Sequence, residues 1–204
     1  MSGKPQYDEN AVLNAAIDVF WGHGYANASI SDLTEATGLS RSSLYQRFGD
    51  KDGLFNECLR LYTGRVLTRM NSIQSESSRV RVEALLREFL PDRAGASHRK
   101  GCLLSRSLTE QADLTPEGKI TTNVGICQQR QVFLNILAQG QLAGEIAEDV
   151  DLELLAWYYF GILQSVVNLP SAGASRQTLS QLIDISMSAW PKSEITHPDS
   201  DGIT

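Results

Sequence analysis

At 204 residues, with 42% hydrophobic and 21% charged side chains, the chain reads as a globular protein of one large or two small domains with enough length to bury a core. Its longest apolar run, residues 156–163, is far too short to cross a bilayer, and the opening MSGKPQYDEN lacks the apolar stretch of a secretory signal. Cys58, Cys102 and Cys127 are odd in number and widely spaced, which argues against a disulfide framework and for a reducing cytoplasm. The net charge of −6 speaks against a broadly basic surface, and within residues 1–52 only Lys4, Arg41, Arg47 and Lys51 stand against seven acidic residues. Three of those four bases nevertheless fall between positions 41 and 51, and local clustering decides attraction to nucleic acid.

Periodicity is helical almost throughout, which predicts an all-α protein of about nine helices in two subdomains. The first helix is expected over residues 7–21, with Val12, Leu13, Ala16, Ile17 and Phe20 on one face. Two short helical patterns follow, joined by a tight Thr37-Gly38-Leu39 turn. Ser29 is placed to cap the first, with Asp32 three residues on as a short-armed capping box, and Ser40 to cap the second, from Arg41 to Gln46 or Arg47. Gly38 suits the left-handed conformation such a helix end needs. Ile30, Leu33, Leu39 and Leu44 supply the contacts between the two helices. The second helix turns small, polar or basic side chains outward: Arg41, Ser42, Ser43, Tyr45 and Gln46. That composition suits a helix entering a DNA major groove, where side chains must donate and accept at base edges.

A long fourth helix starts at the Asp50 cap and carries Leu54, Phe55, Cys58, Leu59, Tyr62, Val66, Leu67 and Met70. Serine-rich residues 72–78 interrupt the pattern. A fifth helix is expected over residues 80–90, a polar, basic loop over 91–101, and a short sixth helix over 102–111. Thr115-Pro116 begins a seventh that reaches residue 139. Asp151 opens an apolar eighth helix to residue 168, and Ser175 caps the last, which stops at Trp190-Pro191. The remaining polar tail is expected to be disordered.

Residues 10–56 resemble the tetracycline-repressor (TetR) family of one-component regulators. The features that carry the resemblance are Gly24-Tyr25, Ala28-Ser29-Ile30, Gly38-Leu39-Ser40, Leu44-Tyr45-Gln46-Arg47-Phe48 and Asp50-Lys51-Asp52-Gly53-Leu54-Phe55. It implies a DNA-binding domain over 1–52, a ligand-binding and dimerisation domain over 53–190, and a tail over 191–204. Two features depart from the family pattern: Ala28 replaces a threonine whose hydroxyl would contact phosphate, and the N-terminal arm carries only Lys4 before Asp8 and Glu9.

Tyr45 and Lys51 are candidates for phosphate contact, roles that the resemblance also implies, against the plainer reading that Tyr45 packs on the first helix and Lys51 is solvated. Arg41, Ser42, Ser43 and Gln46 are candidates for reading bases, the two serines equally for touching phosphate. Ser29 is a cap that can also donate to phosphate. Gly101-Cys102-Leu103 resembles the branch of the family that includes the N-ethylmaleimide-responsive repressor, which implies an electrophile-sensing Cys102. His98, Arg99, Lys100 and Arg106 nearby would favour its thiolate. The alternative is an inert packing thiol, the reading preferred for Cys58 and Cys127 on their apolar stripes. The resemblance further implies a ligand cavity walled by Tyr62, Phe89, Trp157 and Tyr158, with Arg106 and Gln128 as polar lining, and a dimer interface formed by the last two helices.

Together these imply a homodimeric repressor that binds a palindromic double-stranded DNA operator and is released by a small-molecule inducer or an electrophile. It would have no cofactor, no metal and no membrane association. The alternatives are an all-helical enzyme, a small-molecule-binding protein without DNA binding, or a helical oligomerisation module. His23, His98 and His197 show no metal-ligand spacing, and there is no phosphate loop or nucleophile elbow to support catalysis.

Overall fold

The computed structural model describes residues 7–91 and 101–191. The expectations for Lys4, for His98, Arg99 and Lys100, and for the tail beyond 191 lie outside the described residues. Within them the protein is all-helical: α1 (Glu9–His23), α2 (Ile30–Thr37), α3 (Arg41–Phe48), α4 (Lys51–Ser72), α5 (Ser78–Glu88), α6 (Leu103–Thr109), α7 (Pro116–Leu142), α8 (Leu152–Asn168) and α9 (Arg176–Ser188), with a single 3-10 turn at Leu169–Ala172.

Local chemistry sets most of the helix starts. Ser29 accepts from the Asp32 amide while the Asp32 carboxylate takes the Ser29 amide, a complete capping box. Those bonds hold the Asp32 carboxyl below its ordinary pKa, the backbone bond first and the Ser29 hydroxyl second. Ser40, Asp50, Thr115, Asp151 and Ser175 each accept from an amide in the first turn of the helix they precede. Gly38 takes φ 69° and ψ 5° at the end of α2.

Three boundaries differ from the expectation, each for a reason outside local periodicity. α5 begins at Ser78 instead of residue 80, because Ser77 accepts from Val80 N and the Glu145 carboxylate, far along the chain, takes the amides of Ser78 and Arg79. α6 has only seven residues, with Cys102 at its N-cap but no side-chain capping bond. α7 continues to Leu142, past the expected end at 139.

Two buried clusters share α4 as their link. The first joins α1, α2, α3 and the start of α4 through Val12, Leu13, Ala16, Ile17, Phe20, Leu33, Leu44, Phe48, Leu54, Phe55 and Leu59, and it also takes in Cys102, Leu103 and Leu104 of the α6 segment. The second joins α5, α7, α8 and α9 through Val82, Leu85, Leu86, Phe133, Ile136, Leu137, Tyr159, Leu163 and Ile183. Between them, the first half of α7 buries Gly118, Thr122, Gly125 and Gln129, a narrow stripe of small or polar residues. A Cβ on Gly125 would stand 2.9 Å from Leu104 and from Thr63 Oγ1, so this glycine lets α4 and α6 both approach α7.

Gly24 ends α1 at φ 83° and ψ 169°, a region essentially closed to side-chain-bearing residues. A Cβ there would also stand 2.2 Å from Glu110 Oε1. Gly24→Ala is therefore expected to cost more than the same change at Gly38, which has open space around it. The expected loss is on the order of 1–3 kcal/mol for the backbone alone, read as a lower urea midpoint for Gly24→Ala than for Gly38→Ala.

Candidate DNA interface and the segment that holds it

The first two turns of α3 present Arg41, Ser42, Tyr45 and Gln46 to solvent, while Leu44 and Phe48 face inward. Tyr45 is exposed; its hydroxyl accepts from Arg41 Nη2 at 3.4 Å, and the guanidinium lies 5.6 Å from the ring centroid. Packing of Tyr45 on α1 is thereby replaced by an outward pairing with Arg41. Ser43 is half-buried, its amide and hydroxyl engaged with Ser40. Ser42 stays outward, its hydroxyl 2.9 Å from that of Ser40. Ser29 sits at the solvent-exposed tip of α2 as the cap.

Lys51 is neither solvated nor outward. Its ammonium donates to the carbonyls of Tyr25 (3.0 Å) and Ala28 (3.3 Å) and lies 4.4 Å from the Tyr25 ring centroid. An ammonium has three protons, so these two bonds fix the charge beside the start of α2 and leave one proton to donate. The N-terminus of α4 itself is a poorer anion site than its sequence suggests. Asp50 takes the Gly53 amide, and Asp52 accepts from the Tyr25 hydroxyl. Burial, with the Glu117 charge behind it, pushes the Asp52 carboxyl above the usual range.

Periodicity offers no view of the cross-helix contacts around Gly24 and Tyr25. Glu110, just past the end of α6, accepts the Tyr25 amide at 2.7 Å. Arg106 donates to Glu110 at 3.0 Å and to the carbonyl of Trp21 at 3.0 Å. The i,i+4 spacing of Arg106 and Glu110 is visible in the sequence, but not what the pair would grip. At the other end of α6, Cys102 is buried, its sulfur 3.5 Å from the Tyr62 hydroxyl and its amide bonded to Asn168 of α8 at 2.9 Å. Tyr62 in turn packs edge-on against Trp21 at 5.3 Å.

The residues expected to form a ligand cavity are not gathered in one place. Tyr62 and Cys102 touch. Arg106 is engaged with α1. Phe89 is half-buried under the Arg69 guanidinium, 4.6 Å from its centroid. Trp157 and Tyr158 face outward on α8, 51% and 38% exposed. Gln128 lines an open groove of about 450 Å³ along α7 with Ile120, Asn123, Val124, Cys127 and Gln131. Cys127 is thus exposed, contrary to the buried position expected from its stripe; α7 is apolar on more than one side, and only one side is covered. Cys58 is buried as expected, and burial pushes its thiol well up.

A two-helix unit with a capped, solvent-facing second helix, fixed to a larger helical body, defines a helix-turn-helix DNA-binding regulator. Residues 12–58 match the family described as bacterial regulatory proteins, tetR family. The chain is 29% identical over 195 residues to the HTH-type transcriptional repressor ComR of Escherichia coli K12, covering 93% of this chain and 92% of that one. It is 30% identical to a cysteine-substituted form of the TetR family transcriptional regulator CifR, solved with 26-base-pair operator DNA, covering 93% of this chain and all of that one, with a TM-score of 0.77. Reduced NemR of E. coli has the same fold at 16% identity, with a TM-score of 0.77. The chain belongs to the tetracycline-repressor family and is a DNA-binding transcriptional regulator. Among the described residues no helix is long and apolar enough to cross a membrane.

The exposures predict an order of thiol reactivity. In the native protein Cys127 reacts first with a bulky disulfide reagent, Cys102 more slowly, and Cys58 only on unfolding. Mass spectrometry of peptides along a labelling time course reads the order directly.

Proposed function

We propose that the protein is a cytoplasmic, homodimeric repressor that releases a palindromic operator when an effector acts on its helical body. Residues 1–52 would form the DNA-binding unit and residues 53–190 the effector-binding and dimerisation unit. The observation that carries this reading is the outward face of α3, where Arg41, Ser42, Tyr45 and Gln46 stand exposed, next to an ammonium held in place at Lys51. Arg41 and Gln46 suit base edges, whereas Tyr45, Ser29 and the remaining proton of Lys51 suit phosphate. An enzyme would have no use for this face.

One recognition helix per chain calls for a second copy, since two half-sites multiply a modest affinity. The exposed apolar side chains of α8 and α9 support a four-helix interface between copies: Leu154, Trp157 and Tyr158 with Ile185, which is 70% exposed. The effector reading rests on α6. An adduct on Cys102 would have no room beside Tyr62 and Asn168, so α6 would shift, and Arg106 and Glu110 would draw the end of α1 with it. The two recognition helices of a dimer would then lose their spacing, and the population would move to the non-binding arrangement.

Selection of bound duplexes from a random pool should return a two-fold symmetric site. On that site Lys51→Ala is expected to weaken all sequences alike and to lower the salt slope by about 0.9. Arg41 or Gln46 substitutions should instead change the preferred bases, by about 1–3 kcal/mol for each bidentate pair of hydrogen bonds removed. A change of preference with an unaltered salt slope for Lys51→Ala would reverse that assignment.

Trp157→Glu with Ile185→Glu should give monomers by sedimentation and lose the operator. For the effector, N-ethylmaleimide should release DNA from the native protein and from Cys127→Ser but not from Cys102→Ser. Equal release from all three, or none, removes the thiol role and leaves a reversible ligand as the inducer.

A further inference from the structure

The recognition helix is held in place by little. α3 has eight residues, and only Leu44 and Phe48 of these are buried. Two side chains on one face of a two-turn helix fix its distance from the core better than its rotation or tilt. Base reading needs all three to be set before DNA arrives.

The last turn of α3 carries Arg47, the third base of the cluster that the sequence places between 41 and 51. Its guanidinium is bidentate on Glu57 of α4, with Nη1 at 3.0 Å and Nη2 at 3.1 Å, and Nη2 also donates to Glu9 at the start of α1. The same group lies 4.8 Å from the centroid of Phe48. Both carboxylates raise the pKa of Arg47, Glu57 first, so it stays charged. One planar group therefore ties α3 to both α1 and α4, at an angle set by its own rigid fork. Two carboxylates on one guanidinium leave that spot with a net negative charge, which disfavours phosphate there.

We propose that Arg47 is a positioning residue for DNA reading and not a DNA contact: Glu9 and Glu57 hold it away from phosphate and use it to fix the orientation of the recognition helix. This rests on the DNA-binding reading above, and it makes the opposite prediction from the one that a basic residue on a recognition helix invites.

A phosphate contact and a fastener differ in three readouts. If Arg47 is a fastener, Arg47→Met lowers affinity for the selected duplex roughly tenfold and affinity for scrambled duplex much less, because non-specific binding does not need the helix angle. The slope of log affinity against log salt stays unchanged. Glu57→Gln and Glu9→Gln act in the same direction as Arg47→Met. If Arg47 touched phosphate, its loss would flatten the salt slope by about 0.9, would weaken both duplexes equally, and freeing it with Glu57→Gln would tighten binding. Any of those results overturns the proposal.

Hydrogen exchange of the DNA-free protein gives a test that does not depend on finding a duplex. Amides of residues 44–48 should exchange faster in Arg47→Met and in Glu9→Gln, the milder change, while those of α7 keep their native rates. Unchanged exchange in α3 sinks the fastener role, whereas absence of DNA binding by the native protein would instead sink the functional reading.

Discussion

A buried backbone amide must find an acceptor, and at Tyr25 that acceptor is the carboxylate of Glu110, 85 residues further along the chain. The contact is possible only because Gly24 has no side chain where the carboxylate lies. Tyr25 is bound from every side: its amide by Glu110, its carbonyl by Lys51, its hydroxyl by Asp52, and its ring by Phe20 and Phe55. The end of α1, the start of α2, the start of α4 and the end of α6 are thereby set against one residue. Breaking one partner of such a network leaves the others buried and unpaired, at about 1–3 kcal/mol for each neutral group. The DNA-binding helices and the helical body cannot shift past each other without disturbing it.

The same segment explains why α6 matters although it is only seven residues long. Its first residues are buried with α4 and bonded to Asn168 of α8, and its end grips α1. Gly101 adopts φ 87° beside Asn168, and a Cβ there would meet Asn168 Oδ1 at 2.5 Å, so the entry to α6 is as closely fitted as its exit. The stripe of Gly118, Thr122, Gly125 and Gln129 on α7 gives α4 and α6 room to approach, at a cost in polar pairing. Gln129 is buried, yet its Nε2 finds no partner among the described residues. This interior is less completely satisfied than the second core, which is built mainly from leucine, isoleucine, valine and aromatic side chains.

The basic cluster around α3 looks larger in the sequence than it is in space, because Arg47 is consumed by Glu9 and Glu57 and Lys51 is turned onto two carbonyls. Arg41 is the base of this cluster without a carboxylate partner among the described residues, and its neighbour is Tyr45. Ala28 is buried beside these groups, with its carbonyl on Lys51 and no hydroxyl to offer. Such a surface attracts DNA weakly at long range, so discrimination must come from side chains held at the right angle.

The sequence by itself determined the all-helical class, the helix-turn-helix and most helix starts. Those features depend on neighbours within four residues: Ser29 with Asp32, Ser40 with Ser43, Asp50 with Gly53, and Gly38 at its turn. It also placed the α3 face outward, because that face is polar at every turn. Tertiary structure decided which of several apolar stripes would be covered. Periodicity on α7 and α8 is apolar on more than one side, and it could not say that Cys127, Trp157 and Tyr158 would be left exposed while Tyr159 and Phe133 were buried. It decided, too, the partners of the charged side chains: Glu110 with the Tyr25 amide, Glu145 with the start of α5, Arg47 with Glu9 and Glu57. A carboxylate or guanidinium carries no mark of its partner in its own neighbourhood. Its acceptor or donor is brought to it only when distant helices pack, and the packing is set by the apolar faces, not by the charge.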